Sequence, residues 1–429
     1  MSNLGSIYSS KIEAEILDPR VDITNQRCEF RLGGNGRCYY PNFKLVNLGC
    51  TTDADNQPIK SNAGLYSLIK HIHLMDGNKT LSSQRFCNRY LAFVNILNKN
   101  YDNESLTQNL SRAANIGFHM NDLGVVSEYQ THATRTAANS NDSDTAYLDL
   151  TKVFSFLSNI SFFDTAVFKE LKVVIEYDTD SRNFLNDPSK VITTLKPSLV
   201  VNEIVDDKLK ALLKKQFKGV SFLETEHDLV QVPAVAQPVA GASNSQSVKL
   251  RVKGFDGKII GRVVMMKNLS SDALYAPTAT TLLGQGRFDS RSCIGENVNF
   301  IVNGSEVFSG GLDTPAKRAM VLADTWGDIN ISPFSNSPSV GNNKQGGVVN
   351  TFGCVAPIDA NNEDGRIGQS DYVGFDLSGR VNQLQVQFER VGILDTQAKV
   401  ESVALNLNMY GEVAKVLSVA NGEYSVKYM

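Results

Sequence analysis

The feature that most constrains this chain is a strand running into a tight turn, and it occurs twice. Ile72-His73-Leu74-Met75-Asp76-Gly77 is one instance and Val298-Asn299-Phe300-Ile301-Val302-Asn303-Gly304 is the other. Asp-Gly and Asn-Gly supply the positive φ angles that type I′ hairpin turns require. Each instance is followed, roughly 100 residues later, by a closing strand. These are Leu171-Lys172-Val173-Val174-Ile175-Glu176-Tyr177 and Val403-Ala404-Leu405-Asn406-Leu407-Asn408-Met409-Tyr410. The two halves share pattern and spacing, without residue-by-residue alignment. At 429 residues the chain is long enough for two domains, each burying its own core. Two similar halves with nothing catalytic between them point to a building block over an enzyme.

Strands dominate wherever the pattern can be read. Val248, Leu250 and Val252 alternate with Lys249, Arg251 and Lys253. Leu384, Val386 and Phe388 alternate with Gln383, Gln385 and Gln387, and Val403, Leu405, Leu407 and Met409 follow the same period. Alternation with a period of two buries one face of a strand and leaves the other wet, as antiparallel sandwiches do. Turn signals are dense, at Gly33-Gly34-Asn35-Gly36, Asp256-Gly257, Gly310-Gly311, Gly346-Gly347 and Asp364-Gly365.

Helices are few and fall in connections. Ser82 or Ser83 is placed to cap a helix carrying Phe86, Tyr90, Phe93, Val94 and Leu97 on one face. Asp206 or Asp207 is placed to start a second, through Leu209, Leu212, Leu213 and Phe217, with Gly219 as its stop. That second helix is the expected boundary, with a first sandwich over 1–205, a linker helix over 206–219 and a second sandwich over 220–429. Its interleaved lysines read as a solvated or interface face, ahead of a nucleic-acid patch. Long polar loops are expected from about Val126 to Thr145 and from about Ser332 to Gly347, at a similar stage of each half.

Hydrophobic residues make up 42% and charged residues 20%, the profile of a globular protein. The formal net charge of -3 argues against a dominant nucleic-acid-binding role. The first residues are polar, so no secretory signal is expected. Val153 to Phe168 is the most apolar region, but Ser155, Ser158, Asn159, Ser161 and Asp164 break it, so it reads as packed core and not a membrane span. Cys28, Cys38, Cys50, Cys87, Cys293 and Cys354 lack zinc or disulfide spacing and are expected as free thiols. The Asn-x-Ser/Thr triplets at Asn103, Asn268 and Asn303 reflect composition more than glycosylation.

His71 and His73 share one strand face, a spacing able to chelate zinc or copper. His119, His132 and His227 are distant in sequence, so the default is a polar sheet face or a subunit contact. Gly284-Gln285-Gly286 lacks the setting of a phosphate-binding loop. Glu224, Glu226 and Asp228 are the sort of close carboxylates a glycosidase uses, a pattern common in any acidic all-β chain. Trp326 is the single tryptophan, which counts against a sugar-stacking lectin. No catalytic, cofactor-binding or metal-ligating residue is assigned.

Leu68 to Gly77, Leu150 to Leu157, Phe375 to Val386 and Leu407 to Val413, taken in that order, resemble the double jelly-roll major capsid proteins of the lineage that includes adenoviruses, tectivirus-like phages, virophages and polinton-like viruses. Leu68 to Gly77, with Arg89-Tyr90-Leu91-Ala92-Phe93 after it, resembles the strand and turn of that family's first roll. Leu150 to Leu157 resembles the apolar segment before its last strands. Phe375 to Val386 and Leu407 to Val413 resemble the matching parts of the second roll. The order of the segments spans most of the chain. The sequence departs from virophage relatives after Tyr424-Ser425-Val426-Lys427-Tyr428-Met429, where they often carry a longer region trimmed by a protease, and this leaves trimming open here. The resemblance implies an all-β fold of two tandem eight-stranded antiparallel jelly rolls with short connecting helices. It also implies a homotrimeric, pseudo-hexagonal capsomer in an icosahedral virion, contacting neighbouring capsomers, penton and minor capsid proteins, with no cofactor and no specific nucleic-acid binding. An internal membrane is left open. The alternative is a carbohydrate-binding or carbohydrate-active tandem sandwich.

Overall fold

The computed structural model describes residues 12–19, 27–34, 36–46, 69–88, 90, 147–178, 197–216, 219–235, 244–269, 297–326, 348–349, 355–356, 372–392, 404–420 and 423–429. The expected loops at about Val126 to Thr145 and Ser332 to Gly347 lie outside these residues. The first half contains β1 (Ile12–Leu17), β2 (Arg27–Arg31), β3 (Cys38–Val46), β4 (Ile69–Asp76), β5 (Lys79–Arg85) and β6 (Tyr147–Asp149). A 3-10 turn at Leu150–Lys152 and helix α1 (Ser155–Asn159) follow, then β7 (Phe163–Asp164), β8 (Leu171–Tyr177) and β9 (Ser198–Ile204). Helix α2 (Asp207–Gln216) leads into the second half. There the order is β10 (Gly219–Val232), β11 (Asn244–Val252), β12 (Lys258–Leu269), β13 (Asn297–Val302), β14 (Ser305–Glu306) and helix α3 (Pro315–Trp326). The chain closes with β15 (Val348–Val349), β16 (Val355–Ala356), β17 (Tyr372–Val381), β18 (Leu384–Gly392), β19 (Leu405–Ala420) and β20 (Glu423–Tyr428).

The two halves have one topology. In the first, β1-β9-β3-β6 form one sheet and β2-β8-β4-β5 the other; in the second, the sheets are β10-β19-β12-β17 and β11-β18-β13-β14. Setting aside β7, β15, β16 and β20, the described residues of each half form eight strands, ordered first-eighth-third-sixth and second-seventh-fourth-fifth. The recurrent hairpins β4-β5 and β13-β14 are equivalent in this order. Asn303 and Gly304 have φ of 51° and 88°, the paired positive angles of the expected turn. Asn303 also uses its side chain to accept from the backbone of Asn382 and Gln383. The other hairpin turns on Gly77 and Asn78, one residue beyond the expected Asp76-Gly77 pair, and only Gly77 has positive φ, at 57°. A register shift between Leu74 and Met75 accommodates the difference.

Two expectations are corrected. Leu171–Tyr177 is not the counterpart of the strand at Leu405: β8 corresponds to β18, and β9 corresponds to β19. Ser82 and Ser83 do not cap a helix. They belong to β5, where pairing with Leu74 and His73 of β4 takes up the backbone. Helical geometry begins only past Phe86, at Cys87, Asn88 and Tyr90. The linker helix forms over Asp207–Gln216, although Leu212 of its expected apolar face is exposed and Gly219, expected as its stop, begins β10. Asp206 accepts from the amide of Leu209 at 2.6 Å, an N-cap, and Leu209 and Leu213 pack on Cys38, Phe162 and Ile204. Gly219 has φ 150°, and a Cβ there would lie 2.5 Å from the carbonyl oxygen of Leu417, so only glycine fits as β10 begins.

Each sandwich has its own core, but the first is closed by the second half's strands. Phe30, Phe43, Phe154, Phe163 and Ile175 sit in one core with Phe222 of β10 and Leu417 of β19. Val220, Val419, Tyr424 and Val426 pack on the same cluster. The start of β10, the end of β19 and β20 are paired with one another, so they form a three-stranded ribbon over the first sandwich. The Phe222 ring meets Phe156 edge-on at 5.0 Å, and Tyr424 meets Phe168 at 4.9 Å. The second core gathers Val263, Phe300, Phe375, Phe388, Leu407 and Met409. Phe222→Ala is therefore expected to cost about 3–5 kcal/mol and to loosen the first sandwich, although the residue belongs to the second half. Hydrogen exchange should rise in Leu171–Tyr177 before Leu384–Gly392; the reverse order would contradict the ribbon's role.

Candidate functional site at the seam between the sandwiches

The outward face of the sheet containing β10 and β19 does not meet water at its middle. Asn408 and Tyr410 of β19 are each 1% exposed, although their neighbours Leu407 and Met409 already fill the core. What covers them is the first sandwich. The Tyr410 hydroxyl donates to the carbonyl of Phe86 at 3.1 Å, and its ring lies 5.2 Å from that of Tyr90. Thr225 of β10 donates to the Tyr90 hydroxyl at 3.4 Å, and burial pushes that phenol up to about 12. His227 Nε2 and Asn408 Oδ1 are 3.1 Å apart. Arg262 of β12 forks onto Glu412 at 2.6 and 2.9 Å, closing one flank.

Phe86 is the centre of this seam. It has φ 48°, a strained value for a bulky residue. Its ring packs 5.0 Å from His71 and 4.5 Å from His227, so a residue of the first sandwich is wedged between rings of both halves. Its amide donates to His71 Nδ1 at 3.1 Å. A histidine nitrogen that accepts carries no proton, so this imidazole is neutral and bears its hydrogen on Nε2. Burial is the main cause that pushes His71 down to about 4, helped by Lys70, His73 and Arg85 and opposed by Glu176.

A second set of contacts runs along the same seam. Glu224 of β10 accepts from the Ser83 amide of β5, and it pairs with Lys415 of β19. Lys415 also reaches Glu226 at 2.7 Å, and Lys258 reaches Glu226 at 2.5 Å. The Tyr428 hydroxyl donates to Glu226 at 2.9 Å, with both ammonium groups 4.7 Å from its ring centre. Burial works against ionising Glu226, but hydrogen bonds from Lys258 and Lys415 outweigh it and hold this carboxyl below its ordinary range.

His71 and His73 share a face of β4 with ring centres 6.4 Å apart, and His71 is committed to Phe86. Among the described residues no three His, Cys, Asp or Glu side chains are grouped to hold a metal. Glu224 and Glu226 are tied to lysines, and Asp228 accepts from the Gly254 amide at 2.8 Å. Cys28, Cys38 and Cys87 are free and buried, and burial pushes Cys28 and Cys38 up to about 11. Trp326 ends α3. His119, His132, Cys50, Cys293, Cys354, Asn103 and Gly284 to Gly286 lie outside the described residues. Of the seam residues, sequence reasoning singled out His71, His227, Glu224 and Glu226 as polar candidates but missed what joins them. Phe86, Tyr410 and Lys415 meet partners that local periodicity cannot reveal.

No family model and no curated protein matches the chain. Solved structures do. The VP54 protein of PBCV-1, whose crystal structure was fitted into a reconstruction of the virophage Sputnik, is 11% identical. The match covers 97% of each chain, with a TM-score of 0.50. The mavirus major capsid protein is 11% identical, over 98% of this chain and 90% of its own, also with a TM-score of 0.50. The fold is a double jelly roll. At such low identity the likeness is one of architecture, and it agrees with the strand order found independently in each half. In the double jelly roll the seam described above is the contact between the two rolls, and the C-terminal ribbon is an exchange of strands from the second roll onto the first.

Proposed function

We propose that the chain is a major capsid protein, a structural subunit of a virion and not an enzyme. The observation that carries this reading is one strand order repeated in both rolls, in a fold shared with viral capsid proteins over nearly the whole chain. Two similar rolls per chain and three chains per assembly make a block with six similar sides. Such a block tiles a flat facet, so one protein builds a large icosahedral shell. The seam supports this by making each chain a rigid pair of rolls. The partners are further copies of the chain, with penton and minor capsid proteins at other positions of the shell. Domain limits of 1–205, 206–219 and 220–429 go with this reading. A carbohydrate-active role is less well supported, since Glu224 and Glu226 are neutralised by Lys415 and Lys258.

Light scattering of the purified protein is expected to give about 141 kDa, three times the 47.0 kDa chain. Negative-stain images should show particles with hexagonal outlines. A 47.0 kDa species at micromolar concentration would count against the capsomer.

A further inference from the structure

We propose that the joint between the two rolls is operated by acid: Phe86 is held strained by an acceptor that exists only while His71 is neutral, and protonating His71 releases Phe86 and opens the seam along β10 and β19. The idea concerns the single chain and holds whatever the chain assembles into.

The geometry is that of a latch. A bulky residue with φ 48° stays there only when its surroundings over-determine it. Here its amide is held by His71 Nδ1 at 3.1 Å, its carbonyl by the Tyr410 hydroxyl at 3.1 Å, and its ring by His71 and His227. Imidazolium has two N–H donors and no acceptor. Protonation therefore sets an N–H of His71 against the N–H of Phe86, and the first of these holds turns into repulsion. Once Phe86 relaxes, its carbonyl leaves Tyr410, and the two rolls lose the wedge between them.

The charges around His71 have been set by every strand it touches. On its own strand stand Lys70 and His73, and Lys70 Nζ also lies 5.9 Å from the Phe86 ring. Arg85 faces it from β5 and Glu176 from β8, with Arg27 of β2 opposite Glu176. From the second roll, His227 lies beyond the Phe86 ring. Among these described groups, Glu176 favours imidazolium; burial opposes it most, and Lys70, His73 and Arg85 oppose it as well. In the closed seam His71 titrates at about 4, whereas freed in an open seam it returns toward about 6.5. Between those values the open form binds more protons than the closed one. Opening is therefore independent of pH above the window and grows as the pH falls through it, by at most about tenfold per pH unit.

Hydrogen exchange on the full chain between about pH 7.5 and about pH 5 tests this, after correction for intrinsic rates. Peptides spanning 83–90 and 225–232 should lose protection as the pH falls, while Leu171–Tyr177 and Leu384–Gly392 keep theirs. His71→Gln retains an acceptor without a titrating group, so its seam should stay closed with a flat profile. Glu176 stays paired beside His71 when the seam opens, because β4 and β8 belong to one sheet. Glu176→Gln therefore lowers the open form's value, and the onset of opening should move to lower pH, a change that a purely structural role would not produce. Seam protection that does not vary with pH in the unchanged protein overturns the proposal. So does a Glu176→Gln window that stays in place or moves upward.

Discussion

Leu405→Asp is expected to abolish soluble protein, while Asn406→Asp, one residue along β19, leaves a folded chain. Leu405 is 2% exposed and belongs to the second roll's core with Leu407, Met409 and Phe388. The grouped core side chains are apolar, and the nearby buried cation, Lys267, already lies 5.9 Å from the Phe388 ring. A buried unpaired charge costs several kcal/mol, a large share of the roughly 5–15 kcal/mol that keeps a domain folded. Asn406 points the other way and is half-buried, beside Gln231 and Asn268 on the flanking strands. A carboxylate there should cost under ~1 kcal/mol. The contrast fades further along the strand, because Asn408 and Tyr410 on that outward face are sealed by the first roll. Soluble yield and denaturant midpoints of the two variants provide the check. Equal damage from both would mean that β19 does not divide its faces in this way.

The same contrast shows what the sequence could and could not reveal. Strands with one wet face were legible: β11 and β18 alternate as their residues do, from Val248 to Val252 and from Leu384 to Phe388. β12 was not legible. Its run Ile259-Ile260-Gly261-Arg262-Val263-Val264-Met265-Met266 has no period of two, because Val263 and Met265 fill the core while Val264 and Met266 are buried on the opposite face. β10 also hides its pattern, since its even positions serve two cores. Phe222 enters the first, Val230 and Val232 enter the second, and Glu224 lies between them on Lys415. The expected helix start at Ser82 was misplaced because Phe86 and Tyr90 stand four apart, while the pairing that makes those serines a strand comes from β4. The seam left almost no trace in the sequence. Tyr410 and Phe86 are 324 residues apart, and no local signal spans that distance.

Lys415→Met is expected to cost about 3–5 kcal/mol, and the loss should depend on pH in a way that identifies its cause. Lys415 is half-buried between Glu224, which is 4% exposed, and Glu226. Methionine keeps most of the stem's packing but leaves Glu224 as a buried carboxylate with the Ser83 amide and no cation. Glu224→Gln in the same chain removes that charge and keeps an acceptor for Ser83, so the double variant should recover much of the loss. The unchanged protein loses stability on acidification. Glu226 is held below its ordinary range, so its contribution is present above the ordinary carboxylate value and disappears as the pH falls through the lowered one. In Lys415→Met, by contrast, protonating the stranded carboxylate brings relief. The two stability curves should therefore converge toward about pH 4, near the ordinary carboxylate value. On the alkaline side, burial disfavours the Lys415 cation, but the charge and hydrogen bond of Glu224 more than compensate and raise it. Its contribution should then be complete below the ordinary lysine range and fade only as the pH rises through the raised value. Urea unfolding of the unchanged, single and double variants across this range provides the measurement. A deficit that stays constant with pH and is not reduced by Glu224→Gln would mean that Lys415 acts by packing alone.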